Sequence, residues 1–185
     1  MAALELPLTT PRLILREFVT TDLAAVRRYA LDPRVLETVL HELRTEQELT
    51  THFCGLLNAR VTRPRHSFEL AVENRRTGTV IGTCELTKSP GGIGEIGYML
   101  GYRHWGRGYA TEIAHALCDA AFSQMKLGRV RAMIATNNEA SRRVLVKTGL
   151  QWASLRRRHA QAKGRWWDCE EYEILRTDWL KRTTA

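Results

Sequence analysis

Trp105-Gly106-Arg107-Gly108-Tyr109-Ala110 sets two glycines around an arginine just ahead of a long helical pattern, an arrangement suited to holding a phosphate or pyrophosphate. The first N–H groups of a helix lack intrahelical partners and lie at the positive end of the helix dipole, so an anion is stabilised there. Gly106 and Gly108 let the backbone approach without a Cβ in the way, and Arg107 adds positive charge. Two glycines in three residues also serve a bare tight connection. Neither GxGxxG nor GxxxxGK[ST] is present, which disfavours a Rossmann or P-loop site.

Other chemistry-bearing groups stand near this turn in the chain. Glu85 and Glu95 fall on apolar segments that suit strands, and His104 enters the turn itself. Asn138-x-x-Ser141 opens a later helix, where both residues are adequately explained as caps.

The elements that must position these groups follow from periodicity. Arg12 to Phe18 suits a first strand; Thr21-Asp22 begins a short helix that Asp32-Pro33 should stop. Thr45-Glu46-Gln47-Glu48 has capping-box spacing, with Leu49, Phe53, Leu56 and Leu57 on one face of a second helix ending before Pro64. Ser67 to Glu73 and Thr79 to Thr87 form a hairpin, and Pro90-Gly91-Gly92 turns into a third central strand, Glu95 to Leu100. From Ala110 to Met125 the apolar stripe Ile113, Ala114, Leu117, Cys118, Ala121, Phe122 and Met125 marks the strongest helix, with Gly128 at its exit. Arg129 to Ala135 reads as a strand, Glu139 to Thr148 as a helix closed by Gly149, and Leu150 to Arg158 with Arg165 to Leu175 as a hairpin through Lys163-Gly164. The order β-α-α-β-β-β-α-β-α-β-β describes a mixed α/β (α+β) sheet.

A chain of 185 residues, 44% hydrophobic, supports one well-buried core, and no repeat or linker divides it. We expect one domain over 1–185, its core about 10–180. Cys54, Cys84, Cys118 and Cys169 are scattered without a CxxC pair or zinc-like His spacing, so no metal is expected. The N-terminus lacks the pattern of a signal peptide and no segment reaches the ~20 apolar residues that span a bilayer. A cytoplasmic protein without a membrane partner is expected. The net charge of +8 favours anionic partners without choosing among them.

Taken together, Thr10-Pro11-Arg12-Leu13-Ile14-Leu15-Arg16, Gly94-Glu95-Ile96-Gly97-Tyr98, His104 to Glu112, Asn138-Glu139-Ala140-Ser141 and Lys147-Thr148-Gly149-Leu150 closely resemble the GNAT superfamily of N-acetyltransferases, particularly its RimJ/RimL branch, which acetylates N-termini of ribosomal proteins. The resemblance covers nearly the whole chain. It implies a mixed, mostly antiparallel sheet of six to seven strands flanked by about four helices, with acetyl-CoA as cosubstrate. The family turn [Gln/Arg]-x-x-Gly-x-[Gly/Ala] maps onto Trp105 to Ala110, with Trp105 in place of the polar residue; a register from Arg103 also satisfies it. The Trp105 register puts Ala110-Thr111 in the first helical turn, and the backbone N–H groups from Arg107 to Thr111 would then hold the CoA pyrophosphate. The resemblance further implies that Tyr98-Met99-Leu100 splays from its neighbour and bonds the pantetheine arm as an added strand would.

Amide formation from a thioester needs a base for the amine proton and an acid for the departing thiolate. By resemblance Glu95 is the general base, with Glu85 and His104 as rivals. Ser141 is the proton donor, Asn138 contacts pantetheine, and Arg142, with Arg143 beside it, reaches the adenosine phosphates. The acceptor is an amine on a protein N-terminus or small molecule, selected by the loop Leu31 to Arg44 and the final hairpin. A homodimer is left open. A CoA-binding module without catalysis is the second reading. A basic nucleic-acid adaptor, resting on the charge and on Arg156-Arg157-Arg158-His159, is the disfavoured third.

Overall fold

In the computed structural model, which describes residues 4–40 and 45–183, the strongest helical pattern becomes the organising helix. α4 (Tyr109–Ser123) buries Ile113, Ala114, Leu117, Cys118, Ala121 and Phe122 against a sheet, because an apolar stripe at three- and four-residue spacing needs such a partner. Its exit differs from expectation: Lys126, not Gly128, takes the left-handed conformation at φ 56°, and Gly128 donates its N–H to Gly92 O at 2.9 Å.

Eight strands make one sheet in the order β1-β2-β3-β4-β5-β6-β8-β7. They are β1 (Leu8–Thr9), β2 (Leu13–Arg16), β3 (Ser67–Asn74), β4 (Thr79–Ser89), β5 (Ile93–Leu100), β6 (Arg129–Ala135), β7 (Gln151–Ala162) and β8 (Arg165–Leu175). The other helices are α1 (Leu23–Ala30), α2 (Pro33–Leu36), α3 (Glu46–Ala59), α5 (Glu139–Thr148) and α6 (Arg176–Thr183). The mixed α/β class holds, with one strand and two helices more than the expected upper counts. β1 contributes only two residues. At α2, Pro33 does not merely stop a helix: Asp32 caps a new one by accepting from Arg34 N at 3.0 Å, with Pro33 at the position where its missing N–H costs nothing. α6 is a polar helix anchored by Trp179, which packs against Phe122 and His115.

The capping box of α3 forms in both directions, Thr45 N to Glu48 Oε2 at 2.9 Å and Glu48 N to Thr45 Oγ1 at 3.2 Å. One apolar cluster joins α4 to its face of the sheet; a second packs Val26, Tyr29, Leu49 and Phe53, from α1 and α3, with Phe18 and Ala71. Among the described residues no helix is long and apolar enough to cross a membrane.

All ladders are antiparallel except β5 with β6, which run parallel and pair only at Ile93↔Arg129, Gly94↔Val130 and Glu95↔Arg131. Beyond Glu95 the two strands part. β5 stays with β4 as far as Gly82↔Leu100, while β6 stays with β8 as far as Ala135↔Cys169. The sheet therefore opens as a wedge over residues 96–100.

Candidate functional site

The wedge is where two clefts of about 280 Å³ each meet. Both are lined by Thr38, Val39, Tyr98, Met99, Asn138 and Ser141, so these residues form the junction. One cleft continues along Leu100 and His104 to Thr111; the other runs over Glu69, Thr83, Glu85 and residues 132–135 of β6.

On the first side the turn has the form its glycines suggested. Gly106 and Gly108 sit at φ 71° and 77°, and Gly108 is the residue from which α4 starts. The first intrahelical bond is Glu112 N to Gly108 O at 3.1 Å, so the amides of Tyr109, Ala110 and Thr111 precede the ladder and line the cleft. Ala110 and Thr111 thus fall in the first turn. Trp105 faces inward and donates its indole N–H to Leu100 O at 2.7 Å, tying the turn to the end of β5.

Arg12, quoted above without a role, clamps this turn. Its guanidinium donates to Glu112 Oε2 at 2.6 Å and to Arg107 O at 2.9 Å, and it stacks 4.6 Å from the Tyr109 ring centroid. The clamp is reinforced by the Arg12 N–H, which donates to Glu112 Oε1 at 2.9 Å, and by Thr10 Oγ1, which donates there at 2.5 Å. Arg12, which does not line the cleft, thereby holds the turn through the Arg107 carbonyl and the Tyr109 ring, both of residues that do.

α5 closes the junction. Asn138 caps it, accepting from Ser141 N at 3.0 Å, while its Nδ2 donates to Thr38 O at 3.1 Å. That second bond pins the segment after α2, which forms a strap across both clefts; residues 41–44 of the expected acceptor loop lie outside the described residues. Ser141 lines both clefts, and Tyr98 OH donates to its carbonyl at 3.5 Å.

Arg142 does not reach the cleft. It is held by Glu170 at 3.0 Å and 3.1 Å, by Thr136 O at 2.8 Å and by Glu139. Arg143 and Lys147 line the turn-side cleft instead, sharing a helix face with Ala140 and Val144. That i, i+3, i+4, i+7 pattern is legible in the sequence.

The carboxylates divide by environment. Glu95, on β5, accepts from Arg131 Nη2 at 2.6 Å and from Ser89 Oγ. Desolvation opposes its charge, but those hydrogen bonds and the Arg131 charge win, and its pKa falls below the usual range. It lines neither cleft. Glu85, on β4, does line the second cleft, and its register partner is Gly97. Its side chain is open to the cleft yet flanked closely enough to be desolvated, and with Glu69 and Glu95 nearby its pKa is raised. Glu69 faces Glu85 across the ladder and pairs with His52 at 3.3 Å, which raises the His52 pKa. His104 lines the other cleft, its pKa lowered by burial, Arg107 and Arg103. Cys84 also borders the cleft, but burial pushes its thiol far up, so a thiolate nucleophile is disfavoured. The arrangement offers an anion cradle, a narrow junction and a desolvated base beyond it.

Comparison with known proteins supplies the family context. A model of the acetyltransferase (GNAT) domain matches residues 12–151. The chain is 30% identical over 175 residues to the uncharacterized N-acetyltransferase p20 of Bacillus licheniformis, covering 93% of this chain and 97% of the relative. In structure it is similar to a GNAT-family acetyltransferase from Bacillus anthracis, with a TM-score of 0.81 at 25% identity over 93% of this chain and 99% of the other. It also shares its fold with Mycobacterium smegmatis RimJ in complex with CoA-disulfide, at a TM-score of 0.77 and 23% identity over 88% and 81% of the two chains.

Proposed function

This chain belongs to the GNAT acetyltransferase family, and we propose that it transfers acetyl from acetyl-CoA to a primary amine, on a protein N-terminus or a small molecule, by direct attack at the junction of the two clefts. The observation that carries this reading is the wedge itself: an anion-binding turn on one side and the raised-pKa carboxylate Glu85 on the other meet at Tyr98, Met99 and Ser141.

In this reading the amides from Arg107 to Thr111 hold the pyrophosphate, with Arg143 and Lys147 supplying positive charge nearby. The unpaired edge of Tyr98, Met99 and Leu100 bonds the pantetheine arm, and Asn138 orders the strap above it. The amine enters over Glu85. As its nitrogen bonds to the thioester carbonyl carbon and the carbon–sulfur bond breaks, Glu85 accepts the amine proton and Ser141 donates its own to the departing thiolate. Glu85 suits the base role better than Glu95 because a desolvated carboxylate is the stronger base, whereas Arg131 stabilises the Glu95 anion. Glu95 acts on Glu85 by charge.

Direct attack is tested by initial rates with both substrates varied. Intersecting double-reciprocal lines are expected; parallel lines with acetyl retained on the protein would overturn it. Arg12→Ala is expected to raise the KM for acetyl-CoA about tenfold, or ~1.4 kcal/mol, with kcat little changed. An unaltered KM would remove the clamp from cofactor binding. Ser141→Ala should lower kcat by roughly 10-fold or more while α5 stays folded, since its cap uses the backbone N–H of residue 141. Full turnover in that variant would leave Ser141 with capping geometry alone.

A further inference from the structure

The hairpin β7–β8 carries cations that the reaction above does not use. A register shift between Arg156 and Ala160 pushes Arg157, Arg158 and His159 out of the ladder, with Arg158 at φ 47° and its N–H donating to Asp168 Oδ1 at 2.7 Å. Unlike Arg156, which pairs with Glu171, the side chains of Arg157, Arg158, His159 and Arg165 form no ion pair among the described residues. Arg158 lies 5.4 Å from the Trp166 ring centroid and Arg165 3.6 Å from that of Trp167.

This basic rim adjoins the acceptor side of the wedge. Ala135, which lines that cleft, pairs with Cys169, and Cys169 pairs with Arg156, so the bulge begins two strand spacings, or ~10 Å, from the cleft wall. Lys163, at the hairpin turn, donates to Leu36 O at 2.6 Å and Glu37 O at 3.2 Å, docking the hairpin onto the strap.

From the acidic cleft and the basic rim beside it we infer that the hairpin docks an acidic polypeptide, so that the preferred acceptor is a peptide whose reactive amine is followed by acidic residues. The inference rests on the proposed amine acetylation. Glu69 and Glu85 favour the cationic head, and Arg157, Arg158 and Arg165 favour the anionic body. Extended chain advances ~3.3 Å per residue, which puts the acidic side chains about three to five positions from the amine. A polynucleotide fits this surface less well. Its continuous negative backbone would meet the Glu69 and Glu85 carboxylates of the adjoining cleft, and one face of Trp167 is covered by Arg165 where a base would stack.

The test compares peptides with identical first residues and acidic, neutral or basic side chains at positions three to five. The acidic peptide is expected to show a kcat/KM about tenfold above the neutral one, a gap that shrinks as salt is raised. In the triple variant Arg157→Ala, Arg158→Ala, Arg165→Ala that gap should fall to within about twofold. Equal rates for acidic and neutral peptides, or a preference untouched by the triple variant, would overturn the inference. Tryptophan fluorescence titration with the acidic peptide reads the surface without turnover. Binding lost in the triple variant supports the docking surface even if no peptide is acetylated, whereas absent binding, or tighter binding of single-stranded RNA, overturns it.

Discussion

Replacing Glu85 with Gln is expected to lower kcat by about 10²- to 10⁴-fold while acetyl-CoA still binds. The isosteric amide keeps the shape of the cleft and removes only proton acceptance. Desolvation, then Glu69 and Glu95, hold the Glu85 pKa above the usual carboxylate range. The carboxylate is the active form, so the acidic limb of the rate profile rises through that raised pKa and disappears in the variant. Stability moves the other way. A carboxyl whose folded pKa is raised binds its proton more tightly in the native state, so stability falls as pH rises from the unfolded value, ~4.3, through the folded one. At neutral pH the charge is a burden, and Glu85→Gln should hold or raise the melting temperature. An active variant with an unchanged pH profile would return the base role to Glu95 or to a water relay.

Gly97→Ala is expected to cost activity on a similar scale through geometry alone. A Cβ built at residue 97 would lie 2.6 Å from Glu85 Oε1 and 3.0 Å from its Cγ. Those atoms belong to a flexible side chain, so the strand survives and the carboxylate is displaced. A displacement of about 1 Å costs around 10²-fold when it misplaces a reacting group. The expected outcome is a large loss of kcat with a melting temperature near wild type. Cooperative unfolding at a much lower temperature would show instead that Gly97 serves the β4–β5 ladder. Gly82 makes the contrast: a Cβ there would sit 2.3 Å from the backbone oxygen of Met99, which no side-chain rotation relieves.

These two residues show which parts of the site the sequence could reveal. Local signals were readable because their cause is local: the stripe of α4, the Thr45–Glu48 capping box and the turn ahead of Tyr109 each depend on residues a few positions apart. β1 escaped because two residues carry no periodicity, and α6 because its anchor, Trp179, packs against residues over fifty positions away. The choice between Glu85 and Glu95 is a matter of register and of Arg131, which reaches Glu95 from another strand. Arg142 and Arg143 differ only in helix face. Arg143 shares the cleft face with Ala140, Val144 and Lys147, whereas Arg142 turns to Glu139 and Glu170. The strap after α2 has no periodicity of its own; its position comes from Asn138, which bonds Thr38, and from Lys163, which bonds Leu36 and Glu37, about 100 or more residues later.

The most direct measurement is thiol release from acetyl-CoA in the presence of peptides, amino acids, polyamines and aminoglycosides, with mass spectrometry of the acceptor. The account predicts stoichiometric thiol and N-acetylated product with at least one amine class, both nearly abolished by Glu85→Gln. Tight binding of acetyl-CoA with no amine-dependent thiol release across the panel, or release undiminished in Glu85→Gln, would contradict it.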